Sequence, residues 1–153
     1  MTREEIGKMT NEELQKALAE ALGWTDLRHV ILLGELTTLS ATDDKPPQYG
    51  VVGLSPGCSP ELRECDVSSW PLVPDWPTDP TASAQLRQEL WKRLRLYSLV
   101  IKAEPDRVTV MIRRAGDYLN PVWVLERLVT DHIAAECLAV AKAALMLLTE
   151  AKP

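Results

Sequence analysis

Phenylalanine is absent from this 153-residue sequence, and aromatic residues of all kinds make up only 5% of it. Long hydrophobic runs are also absent, because no segment stays apolar for the roughly 18 residues that a membrane span needs. The closest segment, Cys137–Leu148, is interrupted by Lys142. The N-terminus is charged and lacks the apolar core of a secretory signal. These absences predict a cytoplasmic protein that does not enter a membrane.

Cysteine is scarce, and basic residues are fewer than acidic residues. Cys58, Cys65 and Cys137 are odd in number and belong to no metal-binding spacing, so we expect reduced thiols and no zinc site. The formal net charge is −5. Because non-specific nucleic-acid binding depends on cationic side chains that neutralise phosphates, an acidic chain argues against generic nucleic-acid binding.

Groups that could carry catalysis are few as well. The only histidines are His29 and His132, and neither belongs to a recognisable motif. Asp131 beside His132 could orient the imidazole, but neighbours in sequence point apart, so we interpret this pair as a helix cap or a surface feature. The two glycines of Gly50–Gly53 are too few for a phosphate-cradling loop. We therefore expect no enzymatic activity, no cofactor and no metal ion.

The residues that are present predict one globular domain over 1–153, organised around Asp75–Arg95. Asp79 is a typical helix N-cap, and Pro80 fits the first helical position. Apolar residues then recur every four positions on one side of a helix, while charged residues occupy the other side. The apolar stripe consists of Ala82, Leu86, Leu90 and Leu94.

Two β-rich runs follow this helix, at Tyr97–Glu104 and Arg107–Arg113. A Pro-Asp turn separates them, and the second run alternates apolar with polar residues, as a strand with one buried face does. The segment Val122–Thr130 is compatible with strand or helix, and its β-branched residues favour a third strand. We expect a helix that leads into a small antiparallel sheet.

Helices are also predicted near both ends of the chain. Thr10 and Glu13 form a capping-box pattern, and Gly23 is suited to end the first helix in the left-handed conformation. The last helix is predicted at Ile133–Thr149. It is apolar on nearly all sides, so we expect it to be the most buried helix, packed on the sheet or against another subunit.

The segment between these elements is harder to interpret. His29–Leu33 is a short strand or a helical turn, and periodicity over so few residues does not decide between them. Eight of the eleven prolines lie between Ser40 and Pro80, so an irregular, Pro-rich insertion is expected at about 40–80, with one strand at Tyr49–Leu54. The pair Asp43-Asp44 within it is typical of a solvated turn. This insertion is either a binding site or a plain surface excursion.

The order of these pieces resembles the phage ABA-sandwich domain family, which consists of small bacteriophage and prophage proteins. The resemblance lies in the opening segment, in the entry into the central helix and in the alanine-rich final helix, about half of the chain. The residues that carry it are Glu4, Glu5, Ile6, Met9, Thr10, Glu13, Leu14, Gly23 and Trp24 at the start, Pro74, Trp76, Thr78 and Asp79 in the middle, and the run from Ala134 to Leu148.

This resemblance implies an α+β fold, specifically an α/β/α sandwich in which a small antiparallel sheet of about three to four strands carries helices on both faces. It implies no particular activity, because the family has no established biochemical function. The fold that it implies agrees with the pattern of elements read from the residues themselves.

One group of residues could form a ligand pocket. Arg113 and Arg114 end a predicted strand, and guanidinium groups bind phosphate through paired hydrogen bonds. Trp76 offers an indole face that could stack on a nucleobase. The alternative is that the arginines are a charged pair at the sheet edge and the tryptophan belongs to the core. Trp76, Arg113 and Arg114 are therefore the candidate ligand-binding residues.

Two functions are compatible with these features. The first is a non-enzymatic phage accessory protein, expected to be a homo-oligomer, that sequesters a small anionic or nucleotide immune signal of the host and so counters anti-phage defence. The second is a protein-interaction or structural module that binds a host or virion protein through the Pro-rich segment.

Overall fold

The computed structural model describes residues 1–32 and 48–150. These residues form two compact units. The first unit contains Met1–Leu22 together with the described residues from Pro74 onward, and the second contains the described part of Gly23–Val73. The pair Asp43-Asp44 and part of the Pro-rich insertion lie outside the described residues.

The first unit contains an antiparallel sheet of three strands in the order β3-β4-β5. Strand β3 covers Leu96–Glu104, β4 covers Arg107–Arg114 and β5 covers Asp117–Arg127. The predicted hairpin around the Pro-Asp turn is confirmed, since Glu104 pairs with Arg107. The third segment is a strand, as the β-branched residues favoured, although it begins and ends earlier than the predicted Val122–Thr130.

Pro121 lies inside β5, where a proline would normally end a strand. Strand β5 is at the edge of the sheet, so a residue without an N–H group is tolerated there.

Four helices of the described chain belong to the same unit: α1 is Arg3–Gly7, α2 is Asn11–Ala21, α3 is Pro80–Arg93 and α4 is His132–Glu150. The predicted capping box is confirmed at α2, where the Thr10 hydroxyl accepts a hydrogen bond from the Glu13 amide and the Glu13 carboxylate accepts one from the Thr10 amide. Gly23 follows α2 with a φ of 98°, the left-handed conformation that was expected.

Helix α4 forms the centre of the first unit. One side of it packs on β4 and β5, and its other sides contact α1, α2 and α3. Every residue from Ala139 to Leu148 is buried. The prediction that this would be the most buried helix, packed on the sheet, is therefore confirmed.

The α+β class is confirmed, and the expectation of helices on both faces of the sheet is corrected. Among the described residues of the first unit, α1, α2 and α3 contact α4 and no helix covers the second face of the sheet. On that face the side chains of Val100, Trp123 and Leu125 remain 46%, 57% and 48% exposed. Because α4 is apolar on nearly all sides, the other helices bury their stripes against it instead of against the sheet.

The second unit is smaller, and its described part contains only short elements, in line with its prolines. Strand β1, Thr25–Leu32, pairs antiparallel with β2, Gln48–Leu54, so the ambiguous segment at His29 is a strand and the predicted strand at Tyr49–Leu54 is confirmed. Two short 3₁₀ turns follow, at Pro60–Glu64 and Val67–Ser69. The core of this unit consists of Val52, Leu54 and Trp70.

Helix α4 is also long and apolar enough, by length and composition, to cross a membrane. Most of this helix is buried inside the protein. The core helix of a globular domain has the same two properties, so this is weak evidence for a span.

Candidate functional site

An arginine-lined cleft lies in the first unit, where the end of α3 meets the turn between β4 and β5. Its volume is about 350 Å³. We call it the arginine cleft, and it is lined by Arg93, Leu94, Arg95, Arg114, Ala115 and Gly116.

Local backbone features bring these two segments together. Helix α3 ends at Arg93, and the next residue, Leu94, adopts an extended conformation, so the chain leaves the helix directly into β3. Leu96 pairs with Arg114, and the Ala115 amide donates a hydrogen bond of 2.7 Å to the Arg95 carbonyl oxygen. Gly116 turns the chain back into β5 with a φ of 88°, a conformation that favours glycine.

The three guanidinium groups of the cleft differ in their surroundings. Arg93 donates from Nε to the Glu89 carboxylate at 2.5 Å and from a terminal nitrogen to the Leu22 carbonyl oxygen at 3.3 Å. These bonds fix its position and offset part of its charge. Arg95 is exposed, and Arg114 is half-buried.

Arg114 also acts on a carboxylate near the cleft. The pKa of Glu150 is lowered mainly by its hydrogen bonds with Arg3, and the positive charge of Arg114 lowers it further. The lining residues themselves carry three positive charges and no negative charge, so the cleft favours an anion.

The structure separates the three predicted ligand-binding residues. Arg114 lines the cleft. Residues alternate between the two faces of β4, and Arg113 lies on the sheet face that no helix of the first unit's described residues covers, where it pairs with Ser98. The Arg113 Nε is buried and has no hydrogen-bond partner among the described residues.

Trp76 lies before the N-cap of α3, whereas the cleft lies at the C-terminal end of that helix. The 14 residues of α3 span about 20 Å. Trp76 is only 5% exposed, so its indole face is not open to a base. The structure therefore does not bring Trp76 to the arginines.

Sequence interpretation missed Arg93 and Arg95, which were assigned only to the polar side of a helix. A signal for them was available in the hairpin. In an antiparallel hairpin, residues at equal distances from the turn pair with each other, so the end of β4 pairs with the beginning of β3. That pairing places the residues next to Leu96 close to Arg114.

The Asp131-His132 pair, which was considered as a possible catalytic feature, has structural roles instead. Asp131 accepts a hydrogen bond from the Ala134 amide at 2.8 Å at the start of α4, and a ring nitrogen of His132 lies 2.7 Å from the Glu104 carbonyl oxygen. The helix-cap interpretation of this pair is thus confirmed. Within residues 1–32 and 48–150, no group of three or more histidine, cysteine, aspartate or glutamate residues could hold a metal ion.

No protein-family model matches this chain, and neither the curated proteins nor the solved structures contain a significant match to it. The resemblance to the phage family stays a prediction, and function has to be inferred from the geometry of the chain itself.

Proposed function

We propose that this protein is a non-enzymatic binding protein that captures a small anionic ligand, such as a nucleotide, in the arginine cleft. The observation that supports the proposal is the convergence of Arg93, Arg95 and Arg114 on one cleft. Guanidinium groups bind phosphate through charge-assisted, paired hydrogen bonds, which are about twice as strong as neutral ones.

The size and lining of the cleft fit this function. About 350 Å³ is within the range of small-molecule sites, near its lower end. Leu94 and Ala115 supply apolar surface beside the guanidinium groups. Among the described residues that line the cleft, no side chain is a carboxylate, an imidazole, a thiol or a hydroxyl group. General acid–base and nucleophilic catalysis need such groups, so the lining favours binding over turnover.

The biological setting of the proposal follows the family resemblance. A phage accessory protein of this kind would sequester an anionic or nucleotide immune signal of the host, with one ligand per site, and would act as a homo-oligomer in the host cytoplasm. Stoichiometric capture requires affinity and abundance but no catalytic group, which suits a small domain with this lining.

Isothermal titration calorimetry with ADP, ADP-ribose and a cyclic dinucleotide tests the proposal. We expect heat with at least one of these anions. Arg95→Ala and Arg114→Ala should each weaken binding by about tenfold, the effect of losing one charge-assisted hydrogen bond. Arg28→Ala is the matched control, because Arg28 is an exposed arginine of β1 and does not line the cleft. If none of the anions gave heat, or if the cleft variants bound like the control, the proposal would be rejected.

The second candidate function, a protein-interaction module, is favoured by a different observation. The second face of the β3-β4-β5 sheet carries apolar side chains that are about half exposed.

A further inference from the structure

The second face of the β3-β4-β5 sheet is a continuous apolar stripe, which we call the open sheet face. Val100 of β3 pairs with Met111 of β4, and Met111 pairs with Trp123 of β5, so these three side chains form one row across the sheet. In the next row Leu125 pairs with Thr109. The stripe therefore includes four apolar side chains from three strands.

The exposure of this stripe distinguishes it from ordinary surface. Val100, Trp123 and Leu125 are all about half exposed, and Met111 is partly exposed between them. Isolated apolar side chains on a surface are common, whereas contiguous apolar patches with polar surroundings mark interaction sites. Large aromatic residues and methionine are enriched at such sites, because they offer large contact areas and adapt in shape.

The surroundings of the stripe are basic, although the whole chain carries a net charge of −5. The cross-strand register places Lys102, Arg107, Arg113 and Arg127 on this face. The nearest carboxylate on the same face, Glu104, already forms ion pairs with Lys102 at 3.4 Å and with Arg107 at 2.7 Å. The open sheet face is therefore cationic.

We infer that the open sheet face binds an amphipathic helical segment of another protein that has acidic residues beside its apolar stripe. Charge complementarity selects this occupant, because two copies of the face placed together would bring like charges close. The spacing also fits. Two inter-strand steps separate Val100 from Trp123 by about 10 Å, and helix positions i and i+7 are about 10 Å apart along the axis.

The composition of the stripe favours a protein over a single-stranded nucleic acid. Nucleic-acid platforms stack successive bases on several aromatic rings. Here Trp123 is the one aromatic side chain of the stripe among the described residues, and Val100, Met111 and Leu125 have no ring face. Aliphatic side chains instead suit the apolar ridge of a helix.

The test uses a synthetic, fluorescently labelled helical peptide. It carries leucine at positions i, i+3, i+4 and i+7 and glutamate and alanine elsewhere, and a control peptide has lysine in place of glutamate. We expect saturable binding of the acidic peptide in fluorescence anisotropy, with at least tenfold weaker binding of the lysine peptide. Trp123→Ser should weaken binding of the acidic peptide by about tenfold or more, as the loss of a central aromatic anchor does.

Trp91→Ser is the matched control variant, because Trp91 is 48% exposed and belongs to α3, not to a strand of the sheet. A charge-reversal variant, Arg127→Glu, should weaken binding of the acidic peptide and strengthen binding of the lysine peptide. Trp123→Ser removes an exposed side chain, and its fold can be checked by circular dichroism before binding is measured.

Several results would overturn the inference. The acidic peptide could fail to bind, or it could bind Trp123→Ser as well as the unmodified protein. Binding of an oligothymidylate that depends on Trp123, without peptide binding, would identify a nucleic-acid platform instead. A concentration-dependent dimer that Trp123→Ser abolishes would identify a second copy as the occupant.

The arginine cleft and the open sheet face can fail separately. Arg95→Ala and Arg114→Ala should leave peptide binding unchanged, and Trp123→Ser should leave the calorimetric titration with anions unchanged.

Discussion

Lys142 of α4 forms an ion pair with Glu126 of β5 at the interface between the central helix and the sheet. The same ammonium group donates a hydrogen bond of 2.9 Å to the Gly7 carbonyl oxygen at the end of α1. The side chains of Lys142 and Glu126 are only 8% and 17% exposed. Lys142, the one charged residue of the apolar run Cys137–Leu148, thus connects three elements.

Removing this lysine should destabilise the fold strongly. Lys142→Met keeps the aliphatic length but leaves the Glu126 carboxylate buried without its partner. Loss of one member of a buried pair costs about 3–5 kcal/mol. We expect a decrease of about 3 kcal/mol in the free energy of unfolding, measured by urea denaturation. Lys92→Met is the control, since Lys92 is exposed on α3 and should change stability by less than about 0.5 kcal/mol.

The double variant Lys142→Met with Glu126→Leu separates the cost of an unpaired charge from the value of the pair. A buried ion pair replaced by apolar residues of similar size is often close to neutral. We expect the double variant to recover more than half of the stability that the single variant loses. If it were as unstable as the single variant, the main loss would lie in the hydrogen bond to Gly7.

Acid should weaken a contact between α1 and the end of α4. Arg3 binds both carboxylate oxygens of Glu150, at 2.6 and 3.1 Å, and holds the pKa of Glu150 below its ordinary value of 4.5. A lowered folded-state pKa stabilises the protein above the unfolded-state pKa, and this contribution disappears as the pH falls through the folded-state value.

Glu150→Gln should therefore lower stability at neutral pH by about 0.5 kcal/mol, because both partners are partly exposed. The difference should vanish once the pH is low enough to protonate Glu150. Urea denaturation of both proteins at a series of pH values measures it. A difference that stayed constant down to acid pH would show that the carboxylate charge is not involved.

The three cysteines should react with a thiol reagent at three different rates. Cys65 is exposed, Cys58 is half-buried and Cys137 is buried in α4. Burial raises the pKa of the Cys137 thiol, so it stays protonated and unreactive at neutral pH. A chromogenic disulfide reagent should modify Cys65 first and Cys58 more slowly. Cys137 should react only after denaturant is added, and its rapid modification in the native protein would contradict the packing of α4.

The elements with a local signal were the ones that could be predicted from the sequence. Residue alternation gave the strand at Arg107–Arg113, and the capping box at Thr10 gave the beginning of α2. Helix α1 was missed, because five residues carry too little periodicity, although Thr2 and Glu5 form a second capping box.

The placement of helices on the sheet could not be predicted in the same way. An apolar stripe shows that a helix has a face to bury, but it does not show whether the partner is a sheet or another helix. In β5, Val122 and Val124 face α4 while Trp123 and Leu125 face outward, so the strand is apolar on both sides. That composition normally accompanies two covered faces, whereas the expectation of helices on both faces came from the family resemblance.

Only part of the candidate site could be predicted, because its residues come together through tertiary structure. Arg114 was identified because it ends a strand, whereas Arg93 and Arg95 come close to it only through the hairpin and the end of α3. Trp76 was grouped with the arginines on chemistry alone, and the length of α3 separates them. Distances of this kind depend on tertiary structure, which a list of residue types does not contain.

The central position of α4 has a consequence for how the protein is made. Helices α1, α2 and α3 and strands β4 and β5 all precede α4 in the chain, yet each of them packs against it. A ribosome therefore releases the partners before the helix that they share, and their apolar faces stay uncovered until it emerges. Synthesis up to Asp131, the residue before α4, should yield a chain without its core, so this unit folds only after α4 has been translated.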